Sequence, residues 1–125
     1  MYPVKIEPLD VELSLCKVTD YTQIDLEHPF VFTGSTDEEK SLVCPTDLVP
    51  ENTLIKEDGW RAFRVCGQLD FSLVGILAQI SKILADAGIG IFAVSTYNTD
   101  YILVKAENYS KALDLLQSEK PGSGV

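Results

Sequence analysis

The sequence predicts an α+β fold in which one long amphipathic helix covers a face of an antiparallel sheet. The helix is indicated by apolar residues that recur with a 3.6-residue period: Leu73, Ile76, Leu77, Ile80, Ile83, Leu84 and Ala87. Residues 89–95 and 101–105 are rich in strand-forming side chains, and turn-forming residues separate them. Two strands this close must form a hairpin, so the sheet is antiparallel.

The predicted long helix has recognisable ends. Ser72 precedes the apolar stripe and is a suitable N-cap, and Gly88 follows it where a left-handed C-cap belongs. A second, shorter helix is predicted from residue 108 or 109 to about 118. We expect residues 119–125 to form a frayed tail.

The first half reads as short strands joined by turns. Strands are predicted at 9–18, 30–33, 41–44 and 53–55, and a further strand at 60–67. Alternation along 9–18 predicts a buried face of Leu9, Val11, Leu13 and Leu15, opposite a solvent face of Asp10, Glu12 and Ser14. Residues 20–29 are either a loop or one ragged helical turn, and 46–50 either a turn or a single helical turn.

The charged run at residues 56–59 is the predicted boundary between two small modules, 1–58 and 59–118. The second module has only three predicted strands under two helices, which makes a marginal sheet. We therefore expect it to borrow a strand from the N-terminal segment.

An internal repeat supports two related halves. Ser35-Thr36, then Glu39 and residues 41–43, resembles Ser95-Thr96, then Asp100 and residues 102–104. Any two hairpins in a small protein share turn residues and apolar runs, so chance similarity stays open.

The charge composition of the chain limits which kinds of partner it can bind. Residues 1–59 hold thirteen Asp and Glu against four Lys, whereas residues 60–125 hold six acids and six bases. Neither half offers a basic stripe, which argues against nucleic acid and anionic membranes. The acidic half either attracts a cationic ligand or, more commonly, is a solvated face. Without a bilayer-spanning apolar run or a signal peptide, we expect a cytoplasmic protein.

No catalytic or metal-binding pattern is present. The one histidine, His28, has no nucleophile motif beside it, and phosphate-cradling glycine motifs are missing. Cys16, Cys44 and Cys66 are widely spaced in apolar runs, which indicates buried free thiols rather than metal ligands. We therefore expect no enzyme, no cofactor and no metal.

Binding of a small zwitterion is better supported. Residues 69–73 lie between a strand end and a helix N-terminus, where free backbone amides favour a carboxylate. Asp70 could orient this loop or accept hydrogen bonds from an ammonium group, and Ser95, Thr96, Tyr97 and Asp100 could supply hydroxyl groups and one fixed negative charge. Taken singly, each residue also fits an ordinary role as a helix cap, turn former or strand residue.

Residues 60–77 and 91–104 resemble the ACT domain, and more narrowly small bacterial tandem-ACT proteins akin to the eukaryotic cytosolic arginine sensors. Residues 36–43 resemble the first module of that subfamily. The resemblance implies a ferredoxin-like βαββαβ fold with two ACT-like modules in tandem. The ligand contacts it implies are Ser41, Leu42, Asp70, Phe71, Ser72, Leu73, Ile76, Thr96, Tyr97 and Asp100.

The resemblance predicts a non-catalytic regulatory protein that binds a free amino acid at the interface of its two modules, and that forms a homodimer. An alternative interpretation is a ligand-free interaction module that docks a separate enzyme or transporter. An unidentified protein partner is compatible with both.

Overall fold

The computed structural model describes residues 4–67 and 73–118. Within them the chain forms the strands β1 (Val4–Val18), β2 (Phe32–Ser35), β3 (Lys40–Pro45), β4 (Thr53–Gly67), β5 (Phe92–Ser95) and β6 (Asp100–Lys105). The helices are α1 (Leu73–Asp86) and α2 (Tyr109–Ser118). Short 3₁₀ turns occupy Thr46–Leu48 and Ala106–Asn108. The predicted N-cap Ser72 and the tail 119–125 lie outside the described residues.

One compact unit comprises residues 1–10 and 61–125. Its strands follow the order β1-β4-β6-β5, and it contains both helices. The core between sheet and helices is built from Phe63, Val65, Ile76, Ile80, Leu84, Ile89, Ile102, Val104, Tyr109, Ala112 and Leu116. The predicted long helix, the β5–β6 hairpin and the second helix are confirmed.

The first residues of β1 belong to this unit, so the expected borrowed strand is present. Tyr109 at the start of α2 ties it in place. The Tyr109 hydroxyl accepts a hydrogen bond from the Leu9 amide at 3.2 Å and donates one to the Ala62 carbonyl at 2.6 Å. The Arg61 guanidinium lies 4.3 Å from the centre of the Tyr109 ring and donates to the Leu9 carbonyl at 3.1 Å. These contacts join β1, β4 and α2 at one point.

The other compact unit comprises residues 11–60, with the strand order β2-β3-β1-β4. Its core cluster combines strand residues with one residue of the loop that follows β1: Cys16, Val18, Ile24, Leu42 and Cys44. Residues 20–29 form that loop, and a 3₁₀ turn follows β3. Cys16 and Cys44 are buried free thiols as predicted, and Cys66 is a free thiol that is only partly buried. Burial raises the pKa of the Cys44 thiol to about 12.

The predicted solvent position of Ser14 is wrong. Ser14 is fully buried, and its hydroxyl lies 2.5 Å from Asp58 Oδ1 and 2.9 Å from the Thr46 hydroxyl. Cys16 and Val18 follow it on the same buried face, so β1 is covered on both faces in this unit. The hydrogen bond from Ser14, together with the nearby Lys56, holds the pKa of Asp58 below its ordinary value.

Several predicted strand ends shift. β2 begins at Phe32 rather than at residue 30, because Phe30 has a positive φ of 65° that does not fit a strand. β1 extends back to Val4. Residues 56–59, the predicted module boundary, lie inside the continuous strand β4, where Gly59 adopts a φ of 84°.

Helix α1 ends at the C-cap that Gly88 predicts. Gly88 has a φ of 77°, its amide bonds the Ala85 carbonyl at 2.9 Å, and the Ile89 amide bonds the Leu84 carbonyl at 2.9 Å. This pair of bonds is the Schellman motif. Because Ile89 takes part in it, β5 starts only at Phe92, three residues later than predicted.

We expect Gly88→Ala to lower the free energy of unfolding by about 1 kcal/mol, because a Cβ disfavours the left-handed conformation. No atom lies within 4 Å of that added Cβ, so only backbone strain contributes. The matched change Gly75→Ala, within α1 and equally uncrowded, should instead raise it by about 0.5 kcal/mol. Urea denaturation measures both, and equal effects of the two changes would contradict the assignment.

Candidate functional site

The turn end of the β5–β6 hairpin brings together the polar residues that the sequence singles out. Ser95 pairs with Asp100 as the last residues of the ladder. Between them the Thr96 amide donates to the Thr99 carbonyl at 2.8 Å, and the Thr96 hydroxyl donates to the same carbonyl at 3.1 Å. Tyr97 at the tip is fully exposed. We call residues 95–100 the hairpin end.

Asp100 is the unusual member of the hairpin end. Its side chain is only 3% exposed, and Oδ1 accepts a hydrogen bond of 2.5 Å from the Ser95 hydroxyl. None of the described residues gives a hydrogen-bond partner to the buried Oδ2. A buried carboxylate oxygen without a donor is costly, since it has lost its hydration. The arrangement is therefore suited to receive an N–H group that the described residues do not supply.

The strand pattern explains why Asp100 faces inward. Side chains alternate along a strand, so Asp100 shares a face with Ile102 and Val104, which belong to the core under the helices. The Arg64 guanidinium lies 5.5 Å from the centre of the Tyr101 ring. The start of β6 therefore lies beside the last residues of β4.

The β2–β3 hairpin repeats this geometry with a different charge. Ser35 pairs with Lys40, and sixty residues later Ser95 pairs with Asp100. Each turn is closed in the same way. In the first hairpin the Thr36 amide donates to the Glu39 carbonyl at 2.9 Å. The predicted equivalence of Glu39 with Asp100 is wrong, because the strand register matches Lys40 to Asp100. Lys40 Nζ donates to the Ser35 hydroxyl at 3.1 Å.

The other predicted ligand contacts are placed as follows. Ile76 is 4% exposed and packs in the core under α1. Leu73 is the first residue of α1, and Asp70, Phe71 and Ser72 lie outside the described residues.

Ser41 and Leu42 lie on β3 in the unit of residues 11–60. The Ser41 carbonyl accepts a hydrogen bond from the Tyr21 hydroxyl at 2.8 Å, and Leu42 is fully buried. Their role as ligand contacts stays a prediction.

Ser95 is absent from the ligand contacts that the resemblance implies, yet it is the residue that holds Asp100. The sequence contains the signal, because a four-residue turn places its two flanking residues opposite each other. Ser95 and Asp100 flank residues 96–99 in this way. A hydroxyl opposite an acid at such a turn therefore indicates a paired polar site.

Within residues 4–67 and 73–118, the His, Cys, Asp and Glu side chains form no group of three that could hold a metal ion. Neither helix in this part of the chain is long and apolar enough to cross a bilayer.

A family model described as "ACT domain" matches residues 55–118. Curated proteins that match include the cytosolic arginine sensor for mTORC1 subunit 1. The Bos taurus protein is 36% identical over 91 residues, which cover 70% of this chain and 26% of the relative. The Homo sapiens protein is 36% identical over 89 residues, covering 69% and 26%. The chain thus spans about a quarter of the length of these curated relatives.

Solved structures share the architecture over most of the chain. Protein Atu0741 from Agrobacterium tumefaciens has a TM-score of 0.80 and 30% identity, covering 94% of this chain and 89% of that one. Escherichia coli aspartokinase III, in complex with aspartate and ADP, has a TM-score of 0.63 and 11% identity, covering 92% and 32%. At that identity the second match establishes similarity of fold only.

We expect Asp100→Asn to raise the free energy of unfolding at pH 7, because a neutral amide removes a buried charge for one of whose oxygens no described residue provides a donor. Ser95→Ala should lower it by about 1–3 kcal/mol, since it strips the carboxylate of its described donor. Thermal and urea denaturation measure both changes.

The exposed residues Asp114 and Ser110 on α2 provide matched controls. Asp114→Asn and Ser110→Ala should change stability by less than about 0.5 kcal/mol. Strong destabilisation by Asp100→Asn would mean that the carboxylate has a structural partner, which contradicts an open receiving group.

Proposed function

The chain belongs to the ACT domain family, and from that premise we propose that it is a non-catalytic, cytoplasmic regulatory protein that binds a free amino acid. Its fold, an antiparallel sheet covered by two helices, is the ACT fold. The arginine sensors among its relatives support amino-acid sensing as the function. Since the chain spans only part of those relatives, the proposed ligand follows from the residues of this chain.

The observation that carries the proposal is that Asp100 Oδ2 has no hydrogen-bond partner among residues 4–67 and 73–118. A charge-assisted hydrogen bond from an ammonium or guanidinium group would satisfy this oxygen and neutralise the buried charge. Ser95 holds the other oxygen, so the carboxylate is oriented before the ligand arrives. Such preorganisation lowers the entropy cost of binding. The ligand class is therefore an amino acid whose cationic group reaches Asp100.

The remaining contacts complete a site for a zwitterion. We propose that the ligand carboxylate meets backbone amides before and at the start of α1, near residues 70–73, where the helix dipole favours an anion. The exposed ring of Tyr97 would cover the aliphatic part of the ligand, with Thr96 beside it. Ile76 would form the apolar floor. Ser41 and Leu42 are further proposed contacts from the family resemblance.

We also propose that the chain is a tandem of two ACT-like modules, an abbreviated one in residues 1–58 and one in 59–118, and that it forms a homodimer. The sixty-residue repeat supports the tandem, since both hairpins share register, turn bonds and a following 3₁₀ turn. Lys40 in place of Asp100 makes the two hairpins chemically different. Only the second hairpin presents a buried carboxylate.

A ligand-free interaction module is the second candidate function. The specific observation in its favour is the completely exposed ring of Tyr97 at the tip of the hairpin end. Exposed tyrosines often anchor protein contacts. Ligand-independent capture of one defined enzyme or transporter, lost in Tyr97→Ala, would support it.

We expect isothermal titration calorimetry against the twenty amino acids to detect binding of a cationic amino acid. Asp100→Ala should weaken that binding at least about thirtyfold, which corresponds to about 2 kcal/mol, because a charge-assisted contact is lost. Asp114→Ala, the same change on the exposed face of α2, should leave the affinity within a factor of two or so.

Two outcomes would contradict the proposal. If none of the twenty amino acids gives a binding signal, and circular dichroism shows that the protein is folded, amino-acid sensing is ruled out. If Asp100→Ala binds a cationic amino acid as tightly as the wild type, the proposed charge pairing with Asp100 is wrong, although the protein still binds an amino acid.

A further inference from the structure

We propose that Ser95 makes the hairpin end selective for a primary ammonium group over a guanidinium group, so that the chain binds lysine and ornithine more tightly than arginine. The inference rests on the proposed function, because it specifies which cationic side chain pairs with Asp100. It assigns a specificity-determining role to a residue that is absent from the ligand contacts implied by the resemblance.

The Asp100 carboxylate presents one open oxygen rather than two. Oδ1 accepts a hydrogen bond from the Ser95 hydroxyl at 2.5 Å, while Oδ2 receives none from residues 4–67 and 73–118. A guanidinium binds a carboxylate most strongly as a fork, in which two parallel N–H groups donate to the two oxygens. The second arm of that fork must compete with the Ser95 hydroxyl for Oδ1. An ammonium needs only the open oxygen.

The burial of Asp100 limits how many donors a ligand can satisfy there. Asp100 is 3% exposed, so a cationic group that reaches it is withdrawn from water. A guanidinium brings five N–H donors in a fixed plane, whereas an ammonium brings three on one compact nitrogen. The nearby Thr99 carbonyl already accepts from both the amide and the hydroxyl of Thr96. Since each buried donor without an acceptor weakens binding, the larger donor set is at a disadvantage.

The Ser95 hydroxyl offers an ammonium a second acceptor. A hydroxyl that donates its one hydrogen, as Ser95 does to Asp100, keeps lone pairs that can accept. The first hairpin contains this contact within the chain, because the Lys40 ammonium donates to the Ser35 hydroxyl at 3.1 Å. Ser35 pairs with Lys40 as Ser95 pairs with Asp100, so the two serines hold equivalent positions. A ligand ammonium can therefore donate to both Asp100 Oδ2 and the Ser95 hydroxyl.

Two pairs of free amino acids test the selectivity: ornithine with arginine, and lysine with homoarginine. The members of each pair have hydrocarbon chains of the same length and differ only in the amidino group that turns the amine into a guanidine. In isothermal titration calorimetry, we expect the wild-type chain to bind each amine at least about tenfold more tightly than its guanidino counterpart.

Ser95→Ala tests the role of the hydroxyl. The change opens Oδ1 to a second guanidinium N–H group and removes one acceptor from the ammonium. We therefore expect the ratio of the arginine to the ornithine dissociation constant to fall at least about tenfold. Ser95→Thr keeps a hydroxyl and should retain the wild-type ratio. Ser35→Ala, the matched control in the first hairpin, should leave the ratio within a factor of about two. Circular dichroism shows whether each variant is folded.

Three results would overturn the selectivity. The first is wild-type protein that binds arginine or homoarginine at least as tightly as the matching amine, a result that needs no variant and leaves amino-acid binding in place. The second is a folded Ser95→Ala variant with the wild-type ratio. The third is a ratio that Ser95→Thr or Ser35→Ala lowers as much as Ser95→Ala does.

The failure of the proposed function has a different signature. If none of the four amino acids binds to folded protein, both the proposed function and the selectivity are wrong. Asp100→Ala should weaken the binding of both members of each pair, because it removes the charge that either cation would meet. Ser95→Ala should instead change their ratio, and this difference separates selectivity from charge pairing.

Discussion

The pairing of β1 with β4 is the constraint on which both compact units depend. Each unit has one hairpin of two short strands, and it reaches four strands only by including part of β1 and part of β4. Two-stranded hairpins are marginal in water by themselves. Polar contacts across this pair fix it within each unit. Ser14 bonds Asp58 in one, and the Tyr109 hydroxyl bridges Leu9 and Ala62 in the other.

Sequence reasoning succeeds where the determining contacts are local. The apolar period of α1, the left-handed Gly88 and the β5–β6 turn each depend on residues a few positions apart, and each is confirmed. The identification of the ACT family is confirmed as well. Sequence reasoning fails where contacts between distant segments determine the structure. Ser14 looks solvent-facing by alternation, but partners 32 and 44 residues away bury it. Residues 56–59 fall between two predicted strands, but they lie inside the continuous strand β4.

The candidate site also has some features that local sequence predicts and others that depend on distant contacts. Asp100 and Ser95 could be found from turn length and polarity, because residues flanking a four-residue turn face each other. That the carboxylate is buried, with one oxygen that no described residue bonds, follows from the core packing of β6, which no local pattern contains. The register also corrects the internal repeat, since it equates Asp100 with Lys40 rather than with Glu39. One hairpin therefore offers a buried anion and the other an amine.

If Asp100 is an open receiving group for a cation, a crystal structure of the chain grown with a saturating cationic amino acid will show the ligand bound there. We expect a ligand nitrogen at about 2.7–2.9 Å from Oδ2, with Ser95 still bonded to Oδ1. A ligand bound elsewhere, or an Oδ2 that bonds a protein donor in a well-packed interior, would contradict it.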